Sequence, residues 1–234
     1  MSFIFLFLIA AWAFIFYSKI FFFEKLIITN NNLASIGDIY KKFQEINHNR
    51  RLFQVFSLAN NLLFWNNDSC DKIGEASLAI ESINCQKNFL NKTIKILVKE
   101  REPLFLFYDE GSKQYFYLDK EGVLFYSINE NNAKNLILIY NKSSNIYHLG
   151  DKLTIDLEKV KDLATVIQKN FNFRYFELEN QDIVAVCDKG FRILISLNKL
   201  LETTKFIPKL FESNFELNNL EYLDLRFLPK IYYK

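Results

Sequence analysis

Hydrophobic positions follow three different patterns along this chain. From Phe3 to Phe23 the run is apolar except for Ser18 and Lys19. Its 21 residues make about 30 Å of helix, enough to cross a bilayer. The Phe, Leu, Ile and Ala side chains favour insertion by about 5 kcal/mol. Lys19 opposes it by at most ~3 kcal/mol, less near an end, where it snorkels. Further on, Ile36, Ile39, Tyr40, Phe43 and Ile46 recur at the spacing of an amphipathic helix. Ile94, Ile96 and Val98 instead alternate with Lys95 and Lys99, the period of a half-buried strand.

Between these landmarks, Leu26–Thr29 reads as a strand closed by Asn30, Asn31 and Asn32, and Ser35-x-x-Asp38 reads as a helix cap. A second, shorter helix starts near Ser69, with Ile73 and Ala76 inward. Ile80, Ile83 and Cys85 suit the strand that follows, closed by Lys87. The order is strand, helix, helix, strand, strand. This is the element order of a POTRA module, in which two helices cover one face of a three-stranded sheet.

After Pro103 the pattern turns to strands. Phe105 and Phe107 alternate with Leu106 and Tyr108. The segments 115–118 and 123–126 flank Asp119-Lys120-Glu121-Gly122, where glycine suits a turn needing positive φ. A further strand is expected over 136–140. Leu157, Val160, Leu163, Ile167 and Phe171 form a helical stripe. Strands are expected over 173–178, 183–187 and 191–195. A short helix through Leu197, Leu200, Leu201 and Thr204 is expected to end or kink at Pro208. Strand character over 222–227 and 231–233 completes the chain.

The predicted fold class is therefore α+β: an N-terminal transmembrane helix, a POTRA domain (β-α-α-β-β), and a mostly antiparallel β domain with two flanking helices. The expected boundaries are 1–23, 24–102 and 103–234.

Half of the residues are hydrophobic and 17% aromatic, ample for packed cores. The net charge of +2 is too small for an electrostatic nucleic-acid binder. Six glycines and three prolines leave little material for phosphate-binding loops. Cys70, Cys85 and Cys187 have no C-x-x-C spacing. A Cys70–Cys85 disulfide requires an oxidising compartment, and three small buried thiols are the plainer reading. His48 and His148 lack metalloprotease spacing, and no serine sits in G-x-S-x-G. The acidic pairs Asp109-Glu110 and Asp119-x-Glu121 fall in hairpin turns, where such residues are ordinary. No enzyme, cofactor, metal or small-molecule substrate is implied.

The N-terminal run has a second reading as a cleaved signal at Ala11-Trp12-Ala13. It has no basic n-region, however, and the apolar run continues past that site. Lys19 and Lys25 favour a cytoplasmic C-terminal part, but long domains translocate largely regardless of charge, so charge leaves the side open.

Three motifs carry a resemblance. The first is Thr93-Ile94-Lys95-Ile96-Leu97-Val98-Lys99-Glu100-Arg101-Glu102-Pro103. The second is Leu118-Asp119-x-x-Gly122-Val123-Leu124-Phe125. The third is Tyr222-Leu223-Asp224-Leu225-Arg226-Phe227. In this order, behind a single apolar helix, they resemble the FtsQ/DivIB family of bacterial cell-division proteins over nearly the whole chain. Two features depart from that pattern. Leu90 stands where the family often has proline, and the residues before the apolar helix include no basic side chain.

The resemblance implies a single-pass cell-membrane scaffold at the division septum, with its soluble part outside the cytoplasmic membrane. It implies partners of the FtsB/DivIC and FtsL type and a link to septal peptidoglycan synthesis. The main contact it implies is strand addition at the C-terminal β edge. The matching residues are Arg226, Phe227, Leu228, Lys230, Ile231, Tyr232 and Tyr233. A terminal strand offers main-chain groups for pairing, and aromatic side chains supply anchors. Phe227, Ile231, Tyr232 and Tyr233 are the apolar candidates. Lys230 and Lys234 would attract an acidic segment, and Pro229 lacks a donor. Against this, the same residues could face a core, and Asp224 and Arg226, on one face of a strand, read first as structural ion pairs with neighbouring strands. Glu100 and Arg101 close a strand at the domain junction, where they would set the angle between domains. The alternatives are another membrane-anchored POTRA-containing interaction or transport-associated protein, and a membrane-bound hydrolase using Asp119 or His148.

Overall fold

In the computed structural model, which describes residues 2–49, 51–52, 56–57, 59–129, 136–143, 145–212 and 220–234, the chain is α+β with an N-terminal apolar helix. That helix, α1 (Ser2–Tyr17), continues into a short 3-10 turn at Lys19–Phe21. The span Phe3–Phe21, 19 residues, is long and apolar enough to cross a membrane, and the rest of the chain does not bury it. The chain divides into two compact units, Met1–Arg101 and Glu102–Lys234.

The first unit follows α1 with β1 (Lys25–Thr29), α2 (Ile36–Asn49), β2 (Arg51–Leu52), β3 (Phe56–Ser57), α3 (Asn67–Gly74), β4 (Ile80–Asn88) and β5 (Thr93–Glu100). β1, β5 and β4 form a three-stranded sheet in that order. β1 runs parallel to β5, and β4 antiparallel to it. The alternating Ile94, Ile96 and Val98 of β5 share one core with Ile39 and Phe43 of α2 and Ile73 of α3. The Trp65 ring stacks on Phe43 at 4.8 Å. The short β2–β3 hairpin was not anticipated from the sequence.

Cys70, on the inward face of α3, is disulfide-bonded to Cys85 on the inward face of β4. This corrects the expectation of three free thiols. The helix lays one cysteine over the strand that carries the other, a proximity no local spacing encodes. Cys187 alone is a free, buried thiol.

The second unit contains β6 (Phe105–Asp109), β7 (Gln114–Leu118), β8 (Leu124–Ile128), β9 (Leu138–Asn141), α4 (Leu157–Asn170), β10 (Phe173–Glu179), β11 (Asp182–Cys187), β12 (Arg192–Ser196), α5 (Leu200–Glu212), β13 (Tyr222–Asp224) and β14 (Tyr232–Tyr233). All nine strands join one sheet in the order β14-β13-β12-β11-β10-β9-β6-β7-β8.

The sheet is more mixed than the sequence reading expected. The β6–β9, β9–β10 and β12–β13 joints are parallel. The last two follow from connectivity. α4 lies between β9 and β10 in sequence, and α5 between β12 and β13, so each helix is the crossover that parallel neighbours require. Phe107, Phe116, Phe176, Ile183, Ile193 and Leu223 of the strands share one core with Val160 and Ile167 of α4 and Ile207 and Leu210 of α5. Pro208 neither ends nor breaks α5, which runs through it. A proline in a helix interior, which lacks the donor and crowds the preceding turn, costs about 3 kcal/mol. Burying Ile207 and Leu210 on either side of the proline recovers about 1.5–3 kcal/mol for each side chain.

Candidate functional site

The C-terminal edge of the nine-stranded sheet is built by the last residues of the chain. β13 pairs parallel with β12 through Ile193 and Leu223, which places Leu223 and Leu225 in the core. The chain then turns. Residues 226–229 form a turn rather than continuing the strand, which corrects the expected strand over 222–227. The turn returns the chain as β14, antiparallel to β13, with Tyr232 opposite Asp224 and Tyr233 opposite Leu223. Among the described residues β14 is thereby the outermost strand on this side of the sheet.

Each of the expected contact residues has its own place. Leu228 is buried and belongs to the core, so its side chain is not on the surface. Its carbonyl accepts a hydrogen bond from Lys199 Nζ. The Leu228–Pro229 peptide is cis. Ile231 is half-buried and packs against the same core. Phe227, Tyr232 and Tyr233 are 55%, 51% and 58% exposed. The Phe227 and Tyr232 rings meet edge to face at 5.9 Å, so the turn and β14 present one joined aromatic surface. Lys230 is exposed, and its N–H donates to the Phe227 carbonyl at 3.1 Å.

Arg226 holds the turn in place. Its Nε and Nη2 donate to the two carboxylate oxygens of Asp224 at 3.0 and 2.7 Å. Its Nη1 donates to Asp182 at 3.0 Å, and its guanidinium lies 5.5 Å from the centre of the Phe227 ring. Its bond to Asp182 is a cross-strand ion pair, the kind the sequence reading placed first. Neither the identity of that partner, which lies far away in sequence, nor the direct pair with Asp224 was anticipated. Burial pushes the Asp224 carboxyl up, but the hydrogen bonds and charge of Arg226 outweigh it and hold the group below its ordinary value. Hydrogen bonds to Asp224 and Asp182 push the guanidinium up, so it stays charged. At the chain end, Lys234 Nζ lies 3.0 Å from Glu221. That pairing raises the Lys234 ammonium.

The opposite margin of the sheet is treated differently. Leu124 of β8 donates to the Asp151 carbonyl at 2.9 Å and accepts from Gly150 at 2.7 Å. Leu153 N–H donates to the Gly122 carbonyl at 2.8 Å. The loop 150–153 therefore covers the start of β8. Gly122 has φ +86°, and a Cβ there would come within 2.4 Å of the Leu153 carbonyl oxygen.

The groups weighed for chemistry brace turns and the ends of strands. Asp119 Oδ1 accepts the N–H groups of Glu121 and Val123 at 2.9 and 2.8 Å, and His148 N–H donates to Asp151 at 2.8 Å. Asp109 is buried and accepts from Asn141 Nδ2 at 2.6 Å and from Ser112 N–H at 2.7 Å. Among the described residues no three His, Cys, Asp or Glu side chains gather as metal ligands. Glu100 and Arg101 both bond within the first unit. The Glu100 carboxylate accepts the N–H groups of Asn32, Leu33 and Ala34, each at 2.8 Å, and Arg101 Nε donates to the Leu78 carbonyl at 3.1 Å.

Compared with known protein families, the chain matches no family model, and it shows no significant match to a curated protein.

Proposed function

We propose that this chain is a membrane-anchored scaffold of the FtsQ/DivIB kind, which binds partners of the FtsB/DivIC and FtsL type by accepting a strand at β14. One observation carries the reading: among the described residues the outermost strand on this side of the nine-stranded sheet is β14, bearing exposed Tyr232 and Tyr233 beside exposed Phe227. A partner strand laid there extends the ladder, with main-chain bonds for affinity and alternating side chains for selection. The opposite margin is a poorer acceptor, because loop 150–153 bonds across its start. Arg226, braced by Asp224 and Asp182, fixes the turn that delivers the strand.

The first unit supports the same reading. Its strand order β1-β5-β4, with two helices between β1 and β4 in sequence, supports a POTRA-like reading of this unit. The span Phe3–Phe21 serves as the anchor. The Cys70–Cys85 disulfide suits an oxidising compartment, which supports reading the soluble units as lying outside the cytoplasmic membrane. In this role the protein links its partners to septal wall synthesis and itself catalyses nothing.

The test is a pull-down from detergent-solubilised membranes with a tagged FtsB/DivIC-like partner. Phe227→Glu and Tyr232→Glu should each abolish capture with unchanged circular dichroism, since both side chains lie outside the core. Undiminished capture by both variants removes the site. Localisation of a tagged copy to the septum, with filamentation on depletion, tests the cellular role.

A further inference from the structure

The tip of the β4–β5 hairpin is Phe89-Leu90-Asn91-Lys92. Hairpin tips are ordinarily polar, yet here Leu90 is 96% exposed and Phe89 46% exposed. The tip also lies where the chain leaves the apolar span. The Lys92 carbonyl accepts the Glu24 N–H at 2.8 Å and the Lys25 N–H at 3.3 Å, and Lys92 Nζ pairs with Glu24 at 2.6 Å. Glu24 stands three residues beyond Phe21, the end of that span.

A second loop of the same unit reaches the helix itself. The Asn61 side-chain amide donates to the Ile15 carbonyl at 3.0 Å, inside the apolar span, and Phe22 bridges to Asn61 in antiparallel fashion. Leu63, in the 3-10 turn that follows Asn61, is 39% exposed.

We propose that Phe89 and Leu90, together with Leu63 of the second loop, dock on the lipid surface of the membrane that α1 spans, inserting at the headgroup–acyl boundary. The inference rests on the reading of Phe3–Phe21 as a membrane anchor. Continuity with that anchor selects the occupant. Hydrogen bonds hold the tip to the residues that emerge from the bilayer, so its apolar side chains meet lipid before any soluble partner. The charges agree. Lys19 and Lys25 are exposed near the exit, and Lys87 Nζ lies 5.9 Å from the centre of the Phe89 ring, an arrangement suited to anionic headgroups. The docked hairpin fixes the tilt of the three-stranded sheet against the membrane, where a bare tether would leave it free.

The experiment places an environment-sensitive fluorophore on a single introduced cysteine in the full chain, in a Cys187→Ala background, reconstituted into vesicles containing phosphatidylglycerol. The three positions are Leu90→Cys, Ala10→Cys within α1, and Ser82→Cys at the far end of β4. Lipids with a nitroxide high on the acyl chain act as shallow quenchers, and lipids with one near the chain end act as deep quenchers. The expected result is blue-shifted emission at position 90 with most of it lost to the shallow quencher, loss at position 10 to the deep quencher, and water-like, unquenched emission at position 82. Water-like emission at position 90 with quenching at position 10 overturns the docking and leaves the anchor standing. Absence of quenching at both 90 and 10 overturns both readings.

Discussion

Arg226 Nη1 lies 3.0 Å from Asp182 Oδ2 and joins the turn after β13 to the start of β11, with β12 between them in the sheet. The same guanidinium grips Asp224 with two further bonds, so a single side chain fixes where the chain reverses before its last strand.

Arg226→Met should therefore lower stability by about 2 kcal/mol, because it leaves the buried Asp224 carboxylate without its charged donor. Asp182→Asn should cost about 1 kcal/mol, since Asp182 is partly exposed and solvent screens the pair. Urea unfolding midpoints read both. Equal, negligible losses would show that the turn is held by other means.

Acid sensitivity should follow from Asp109 and Asp224. Burial pushes the Asp109 carboxyl up, but the bonds from Asn141, Ser112 and the backbone outweigh it and leave the group below 3.8. Asp224 is held below 3.8 as well. A carboxylate depressed in the folded state adds stability that is full above its unfolded value and is lost as pH falls through its folded value. Stability should thus hold above about pH 4 and fall below it. Asp109→Asn should cost about 1–2 kcal/mol near neutral pH, with a smaller difference at low pH, where the natural carboxyl is itself protonated. Denaturant titrations at several pH values measure this, and a pH-independent difference would refute the assignment.

Removing the disulfide should weaken one unit only. Cys70 and Cys85 close a loop of sequence separation 15, worth about 3 kcal/mol if the effect lies in the unfolded chain. The Cys70→Ala/Cys85→Ala double variant should show faster amide exchange in α3 and β4, with exchange in β10–β12 unchanged. Equal acceleration in both units would contradict this.

The elements legible in the sequence are those with a clean period. The α2 stripe through Ile39 and Phe43, the α4 stripe through Val160 and Ile167, and the alternation of β5 are read directly, because burial on one face leaves a periodic mark. Three features left no such mark. The parallel joints depend on which strands a crossover helix brings together. The passage of α5 through Pro208 depends on burial of Ile207 and Leu210 around it. The turn at 226–229 depends on Asp182, a partner that no local window contains. The aromatic residues at the C-terminal edge were legible, but the buried position of Leu228 was not, because a lone leucine in a turn carries no period.

Strand addition at β14 by another protein can be followed at single-residue level. Amide hydrogen exchange of the full chain, with and without an FtsB/DivIC-like partner, tests it most directly. Strand addition should slow exchange mainly in residues 231–234, where new main-chain bonds form. Binding that leaves exchange there unchanged and protects another surface instead would contradict it.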